Sequence, residues 1–106
     1  MNIFETIPTN TAAALYRIAQ EALRNVAKHA GKTHVKVLLE EKDDVLILQV
    51  IDLGVGFDQE AEVAGEGLGL ISMTERARQI HGQLSIRSSL GKGTTMTVNA
   101  PLTQYE

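Results

Sequence analysis

The chain contains no cysteine among its 106 residues. Disulfides, thiolate nucleophiles and cysteine-ligated metal centres are therefore excluded at the outset. Aromatic residues are scarce, at 4% with no tryptophan, so the core must be built from aliphatic side chains. No apolar run approaches the ~20 residues that a membrane-spanning helix needs, and no leader of the basic-then-apolar kind opens the sequence. An excess of positive charge is also lacking, because ten Lys and Arg face thirteen Asp and Glu for a net charge of −3. Such a surface has no general attraction for nucleic acid or an anionic membrane. The expected location is the cytoplasm, with any membrane anchor belonging to a longer parent protein.

What is present suits one domain. A chain of this length supports one core and is expected to bury roughly 60–70% of its unfolded surface. Apolar residues make up 43% and charged residues 22%, an ordinary balance for a globular domain. Thr9, Asn10 and Thr11, just after Pro8, offer an N-cap for a helix running to about His29. Leu15, Ile18, Ala19, Ala22, Leu23 and Val26 follow the 3-4 spacing of one buried face, and Gly31 ends the helix. Residues 34–40 and 45–52 read as strands joined by a turn at Lys42, Asp43 and Asp44. Residues 53–69 hold five glycines among polar residues and read as a long loop, expected to be functional or mobile. A second helix is expected over 70–81, with Leu70, Met73, Ala77 and Ile80 inward and Gly82 closing it. Strands at 83–88 and 94–100 follow, joined by residues 89–93. Short links make each strand pair antiparallel, and the class is α+β with helices on one face of a sheet.

Three features carry chemistry. Glu21, Asn25 and Lys28 are spaced i, i+4, i+7, which places them on one stripe of the first helix, bordering its apolar face. A carboxylate and an amide oxygen are hard ligands suited to Mg²⁺, although the stripe alone also fits a solvated helix flank. Asp52 ends a nearly all-apolar strand and is followed by Leu53, Gly54, Val55 and Gly56. A carboxylate there can accept a hydrogen bond from an exocyclic amine, or can simply start a turn. Gly65, Gly67 and Gly69 open the second helix just before Leu70, where bare amides form an anion site. These glycines lack the spacing of a dinucleotide-binding fingerprint, and Gly91-Lys92-Gly93-Thr94 lacks the order of a P-loop.

Together these segments resemble the GHKL nucleotide-binding family, which includes gyrase, a heat-shock chaperone, histidine kinases and the mismatch-repair ATPase. Residues 17–30 (RIAQEALRNVAKHA) are similar to its N box, 52–57 (DLGVGF) to its first glycine box and 65–70 (GEGLGL) to its second. Gly93-Thr94 matches its late Gly-Thr pair, and the likeness covers about residues 9–102. Residues 16–30 and 69–77 resemble more narrowly the sensor histidine kinases of the nitrate-sensor and DesK-like group. That group has a short lid, and here only residues 58–64 separate Phe57 from Gly65.

The resemblance implies a Bergerat-type α/β sandwich whose mixed sheet is covered on one face by helices. It implies ATP and Mg²⁺ as ligands, and transfer of the γ-phosphate to a histidine on a dimerisation segment of the parent kinase, with a response regulator downstream. Asn25 would be the Mg²⁺ ligand, and Glu21 would assist the metal or polarise the attacking group. Lys28 and His29 would meet phosphate or ribose oxygens. Asp52 would accept from the adenine amine, and Thr94 would help through its hydroxyl and a water. Gly54 and Gly56 would let the chain pass the base, while Gly65, Gly67 and Gly69, with Leu70 behind them, would let the lid close on the phosphates. The phosphoacceptor helix pair is lacking and the usual first strand is cut short to residues 2–7, so the expectation is one domain of a longer kinase. Such a domain alone is not expected to phosphorylate itself. A GHKL serine kinase of the anti-sigma type and a non-catalytic nucleotide-sensing module are the alternatives. No nucleic acid and no direct membrane contact are expected.

Overall fold

In a computed structural model, residues 7–56 and 69–102 are described. Helix α1 (Thr9–His29) is followed by strands β1 (Val35–Lys42) and β2 (Val45–Asp52), helix α2 (Leu70–Gln79), and strands β3 (Gln83–Ser88) and β4 (Thr94–Pro101). The four strands form one sheet in the order β1-β2-β4-β3. Residues 57–68 of the expected loop, Gly65 and Gly67 among them, lie outside the described residues, as does the expectation of a mobile lid there.

The aliphatic composition dictates how the layers meet. Alternate residues of β2 (Leu46, Leu48, Val50) and β4 (Met96, Val98, Ala100) are buried on one face of the sheet. Against them pack Leu15, Ile18 and Ala22 of α1 and Met73, Ala77 and Ile80 of α2. The 3-4 spacing read from the sequence therefore marks the buried stripe of both helices, while Leu23 is exposed at the stripe's edge. Ile18 is fully buried at the centre of this contact, where burying one such side chain contributes about 1.5–3 kcal/mol. Edge strand β1 is mostly exposed, while β3 alternates exposed with half-buried residues and packs Leu84 and Ile86 against the core.

The α+β sandwich stands as expected, but the sheet is not mixed among the described strands, because every pairing is antiparallel. Two hairpins account for β1–β2 and β3–β4. The chain crosses the sheet as α2 and enters β3 parallel to β2 but one strand away, and β4 fills the gap antiparallel to both. The first hairpin closes through Asp43 and Asp44, with φ of 54° and 63°. Positive φ at both loop residues is the geometry that matches the right-handed twist of the flanking strands.

The helix ends depart from expectation in detail. No side-chain cap starts α1: Pro8 holds the N-cap position, its carbonyl accepts from Ala12 N, and Thr11 is buried instead. Gly31, at φ 76°, ends α1 as expected. α2 stops at Gln79, two residues early, and His81 rather than a glycine takes the left-handed position, with φ 59°. His81 N donates to Arg78 O and Gly82 N to Ala77 O, the paired bonds of a Schellman end. Gly82 is needed for space, since a Cβ there would lie 2.5 Å from Asn99 O.

Candidate functional site

One end of the sheet carries a polar row. Asp52 pairs with Thr94 across β2 and β4, and Thr94 with Ser88 across β4 and β3. Directly opposed residues of an antiparallel pair share a face. Asp52 follows the buried Leu46, Leu48 and Val50 in alternation, so all three polar residues lie on the helix-covered face. Asp52 is only 6% exposed. Its Oδ1 accepts from Gly54 N at 2.9 Å, closing a turn at the strand end. Ser88 Oγ lies 2.7 Å from Thr94 Oγ1 and donates to Gly93 O at 3.0 Å.

Around this row three backbone segments pass too close for side chains. A Cβ on Gly54 would lie 2.2 Å from Ala30 O, one on Gly56 2.1 Å from Ser89 O, and one on Gly93 2.2 Å from Asp52 O. The carbonyl of Ala30 at the end of α1 accepts from Val55 N at 3.1 Å, and Val55 O accepts from Gly91 N at 2.7 Å. Thr33 Oγ1 accepts from Leu53 N at 3.1 Å. The end of α1, the loop after β2 and the turn before β4 are thus tied into one rim around Asp52.

A second group forms further back along α1. The side chain of Glu21 lies over Gly69, the residue before α2: a Cβ at Gly69 would meet Glu21 Cγ, Cδ and Oε2 at 3.0 Å. Gly69 itself has φ 68° and caps α2 without any side-chain bond. Glu21 Oε1 accepts from Arg24 Nη1 at 3.2 Å, an exposed i,i+3 pair whose contribution to stability is small. Asn25, one turn on, is half-buried, and its side-chain oxygen Oδ1 is sealed from solvent. Leu70 is partly buried against the core. Lys28 and His29 are exposed on the last turn of α1. Glu21 and Ala30 are nine residues apart on one helix, about 13 Å at 1.5 Å per residue, so the two groups bracket an elongated ligand's length.

The structure thus brings Asp52, Gly54, Gly56 and Thr94 together at one end of α1, and Glu21, Asn25, Gly69 and Leu70 along its length. The sequence reading did not single out Ser88, Thr33, Arg24 or the Ala30 carbonyl. Ser88 was within reach of it, because a five-residue turn over 89–93 places 88 opposite 94. Backbone contacts such as Ala30 O to Val55 N leave no sequence signal.

Among the described residues no group of three or more His, Asp or Glu is placed to hold a metal ion. Mg²⁺ needs no such cluster, since one or two protein oxygens plus phosphate and water complete its octahedron. The carboxylate of Glu21 and the amide of Asn25, one helical turn apart, are donors of that chemical kind, and with Asn25 Oδ1 sealed from solvent the amide must turn for its oxygen to reach an ion.

The histidine kinase-, DNA gyrase B- and HSP90-like ATPase family matches residues 10–104. The signal transduction histidine-protein kinase/phosphatase DegS of Brevibacillus brevis is 40% identical over 102 residues, covering 96% of this chain and 26% of that protein. The oxygen sensor histidine kinase NreB of Staphylococcus carnosus is 40% identical over 89 residues, covering 84% of this chain and 26% of that protein. The chain therefore spans about a quarter of the length of these curated relatives. Among solved structures, the blue-light activated histidine kinase of Erythrobacter litoralis EL346 superposes with a TM-score of 0.80 at 24% identity, over 92% of this chain and 32% of that one. The histidine kinase AdeS of Acinetobacter baumannii superposes with a TM-score of 0.73 at 17% identity, over 87% of this chain and 47% of that one. At these identities the structural likeness speaks for the fold.

Proposed function

The chain belongs to the histidine kinase-, DNA gyrase B- and HSP90-like ATPase family, and from that premise we propose that it binds Mg-ATP and donates the γ-phosphate to a histidine on a dimerisation segment of a two-component sensor kinase. The observation that carries the nucleotide reading is Asp52, a buried carboxylate at a sheet end with glycine backbone on both sides. With Oδ1 committed to Gly54 N, Oδ2 is the oxygen left to accept from the 6-amino group of adenine. Histidine is favoured over serine as acceptor because both relatives at 40% identity are named as histidine kinases.

Phosphoryl transfer asks the protein for position and charge rather than covalent chemistry. In the proposed reading the base sits at the Asp52–Thr94 row and the triphosphate runs along α1 toward Asn25, Glu21 and the start of α2. Lys28, on the same stripe, neutralises phosphate oxygens, and the amides at the start of α2 face developing negative charge. Bound Mg²⁺, held by Asn25 with or without Glu21, would supply further neutralisation of the phosphates. An imidazole nitrogen of the acceptor forms the new N–P bond as the bond from γ-phosphorus to the bridging oxygen breaks. ADP leaves, and in this reading Glu21 takes the imidazole proton.

Among the described residues no helix is long and apolar enough to cross a membrane. A cytoplasmic setting, a response regulator downstream and a membrane anchor elsewhere in the parent belong to this proposal.

Titration calorimetry of the chain with ATP, with and without magnesium, tests it. Magnesium-dependent ATP binding is expected, and Asn25→Ala is expected to abolish the magnesium dependence. An Asn25→Ala protein that still binds ATP in a magnesium-dependent way would show that the helix edge is a solvated flank.

A further inference from the structure

We infer that Ser88 is a specificity-determining positioning residue: it fixes the hydroxyl of Thr94 as an acceptor, so that the sheet-end row accepts a purine 6-amino group and rejects a 6-oxo group. The inference rests on the proposed placement of the base at Asp52.

A serine hydroxyl has one hydrogen to give and a carbonyl has none. Ser88 Oγ lies 3.0 Å from Gly93 O, which can only accept, and in the proposed arrangement the Ser88 hydrogen goes to that carbonyl. Across the 2.7 Å separation from Ser88 Oγ, only Thr94 is then left to donate. The Thr94 hydrogen is committed away from Asp52, and its oxygen faces the other way with lone pairs alone.

Gly93 O is a firm anchor for this relay. Gly93 has φ 80°, and a Cβ there would lie 2.2 Å from Asp52 O, so its backbone is fitted closely to β2. Asp52, opposite Thr94 in the register, is itself acceptor-only when ionised. The row therefore offers two neighbouring acceptors and no donor. The adenine 6-amino group brings two hydrogens to such a pair. A 6-oxo purine brings a third acceptor, and its oxygen is left facing lone pairs. A water between Thr94 and the base preserves this polarity: it donates one hydrogen to Thr94 and keeps the other for adenine N1, which in a 6-oxo purine already carries a proton.

Without the Ser88 hydroxyl, Thr94 is free to rotate and donate, and the row loses part of its preference. The probes are ATP and inosine triphosphate, which differ only at position 6 and the N1 proton. The ratio of their affinities, measured by calorimetry on the whole chain, is the readout. Ser88→Ala is expected to narrow the ratio by about tenfold, the scale of one mismatched hydrogen bond. The shape-matched pair Ser88→Thr and Ser88→Val separates the hydroxyl from packing: the threonine variant should keep the wild-type ratio and the valine variant should narrow it. A merely structural role would weaken both nucleotides together and leave the ratio unchanged in all three variants, which overturns the inference. Asp52→Asn serves as the control on placement. If it weakens ATP binding while the ratio ignores Ser88, the relay is wrong and the site stands. If it leaves ATP binding untouched, the base is elsewhere and both readings fall.

Discussion

At the scale of single residues, Asp52 concentrates the functional argument. Its carboxylate is buried at the end of β2, and Gly54 N engages one oxygen. Burying a carboxylate costs free energy unless partners are supplied. Here the backbone supplies one and, in the proposed complex, adenine the other. Asp52→Asn replaces an acceptor with a donor at one of the two positions. ATP affinity is expected to fall by about 1–3 kcal/mol, the cost of a mismatched buried polar pair, with little change in fold. The same logic makes GTP a poor ligand for the wild type, because guanine carries its amine elsewhere and sets an oxygen at position 6. Calorimetry with both nucleotides checks this, and equal ATP and GTP affinities would remove Asp52 from the reading role. Asp52 was legible in the sequence because a lone carboxylate closing an apolar strand before two glycines is conspicuous. Its neighbours were less so. Thr33 and the Ala30 carbonyl reach the loop after β2 through single hydrogen bonds from residues twenty or more positions apart in sequence, and no local pattern announces such pairings.

At the scale of elements, periodicity carried the reading and end geometry resisted it. The 3-4 spacing of α1 and α2 and the apolar runs of β2 and β4 gave each element its type and its inward face. Burial imposes those patterns residue by residue. Helix ends depend instead on one or two backbone dihedrals. Gly82 looked like the terminator of α2, yet the left-handed position belongs to His81, at φ 59°. The two requirements are split: Gly82 satisfies the steric limit set by Asn99 O, while the turn itself falls on the preceding residue. A histidine held in the left-handed region carries strain that glycine does not. His81→Gly is therefore expected to stabilise the domain by about 0.5–1 kcal/mol, with both Schellman bonds retained. Thermal or urea unfolding would show this as a raised midpoint. A lowered midpoint would mean that the imidazole makes contacts worth more than the strain. The sheet tells a similar story. Short links revealed the two hairpins, but not that β4 would insert between β2 and β3, because that choice depends on how α2 crosses the sheet.

At the scale of the molecule, the question is which histidine receives the phosphate. In the proposed complex the γ-phosphate lies near Glu21 and Gly69, whose close approach ties α1 to the start of α2. Reacting atoms must come within about 3–3.5 Å for in-line attack. The chain has three histidines, and their places in the fold are known. His29 is eight residues beyond Glu21 on the same helix, about 12 Å along its axis at 1.5 Å per residue. His81 lies past the far end of α2, whose last residue Gln79 is about 13.5 Å from its first by the same rise. His34 precedes β1, beside the rim rather than the phosphate end. His29 is fixed on α1, and none of the three lies beside Glu21 and Gly69 in the fold. The chain incubated with γ-labelled ATP is therefore expected to remain unlabelled, and label should appear on a supplied acceptor segment carrying a dimerisation histidine. Glu21→Gln then separates binding from chemistry. The amide retains the packing over Gly69 but no longer takes a proton, so ATP affinity should hold while transfer falls by about 10²–10⁴-fold. If Glu21 instead acts chiefly as a metal ligand, the same variant loses magnesium-dependent affinity in parallel with transfer. Robust labelling of His29, His34 or His81 in the chain alone would place the phosphate elsewhere than at Glu21 and Gly69. In that case the domain would act on itself rather than serve as the donor for another segment.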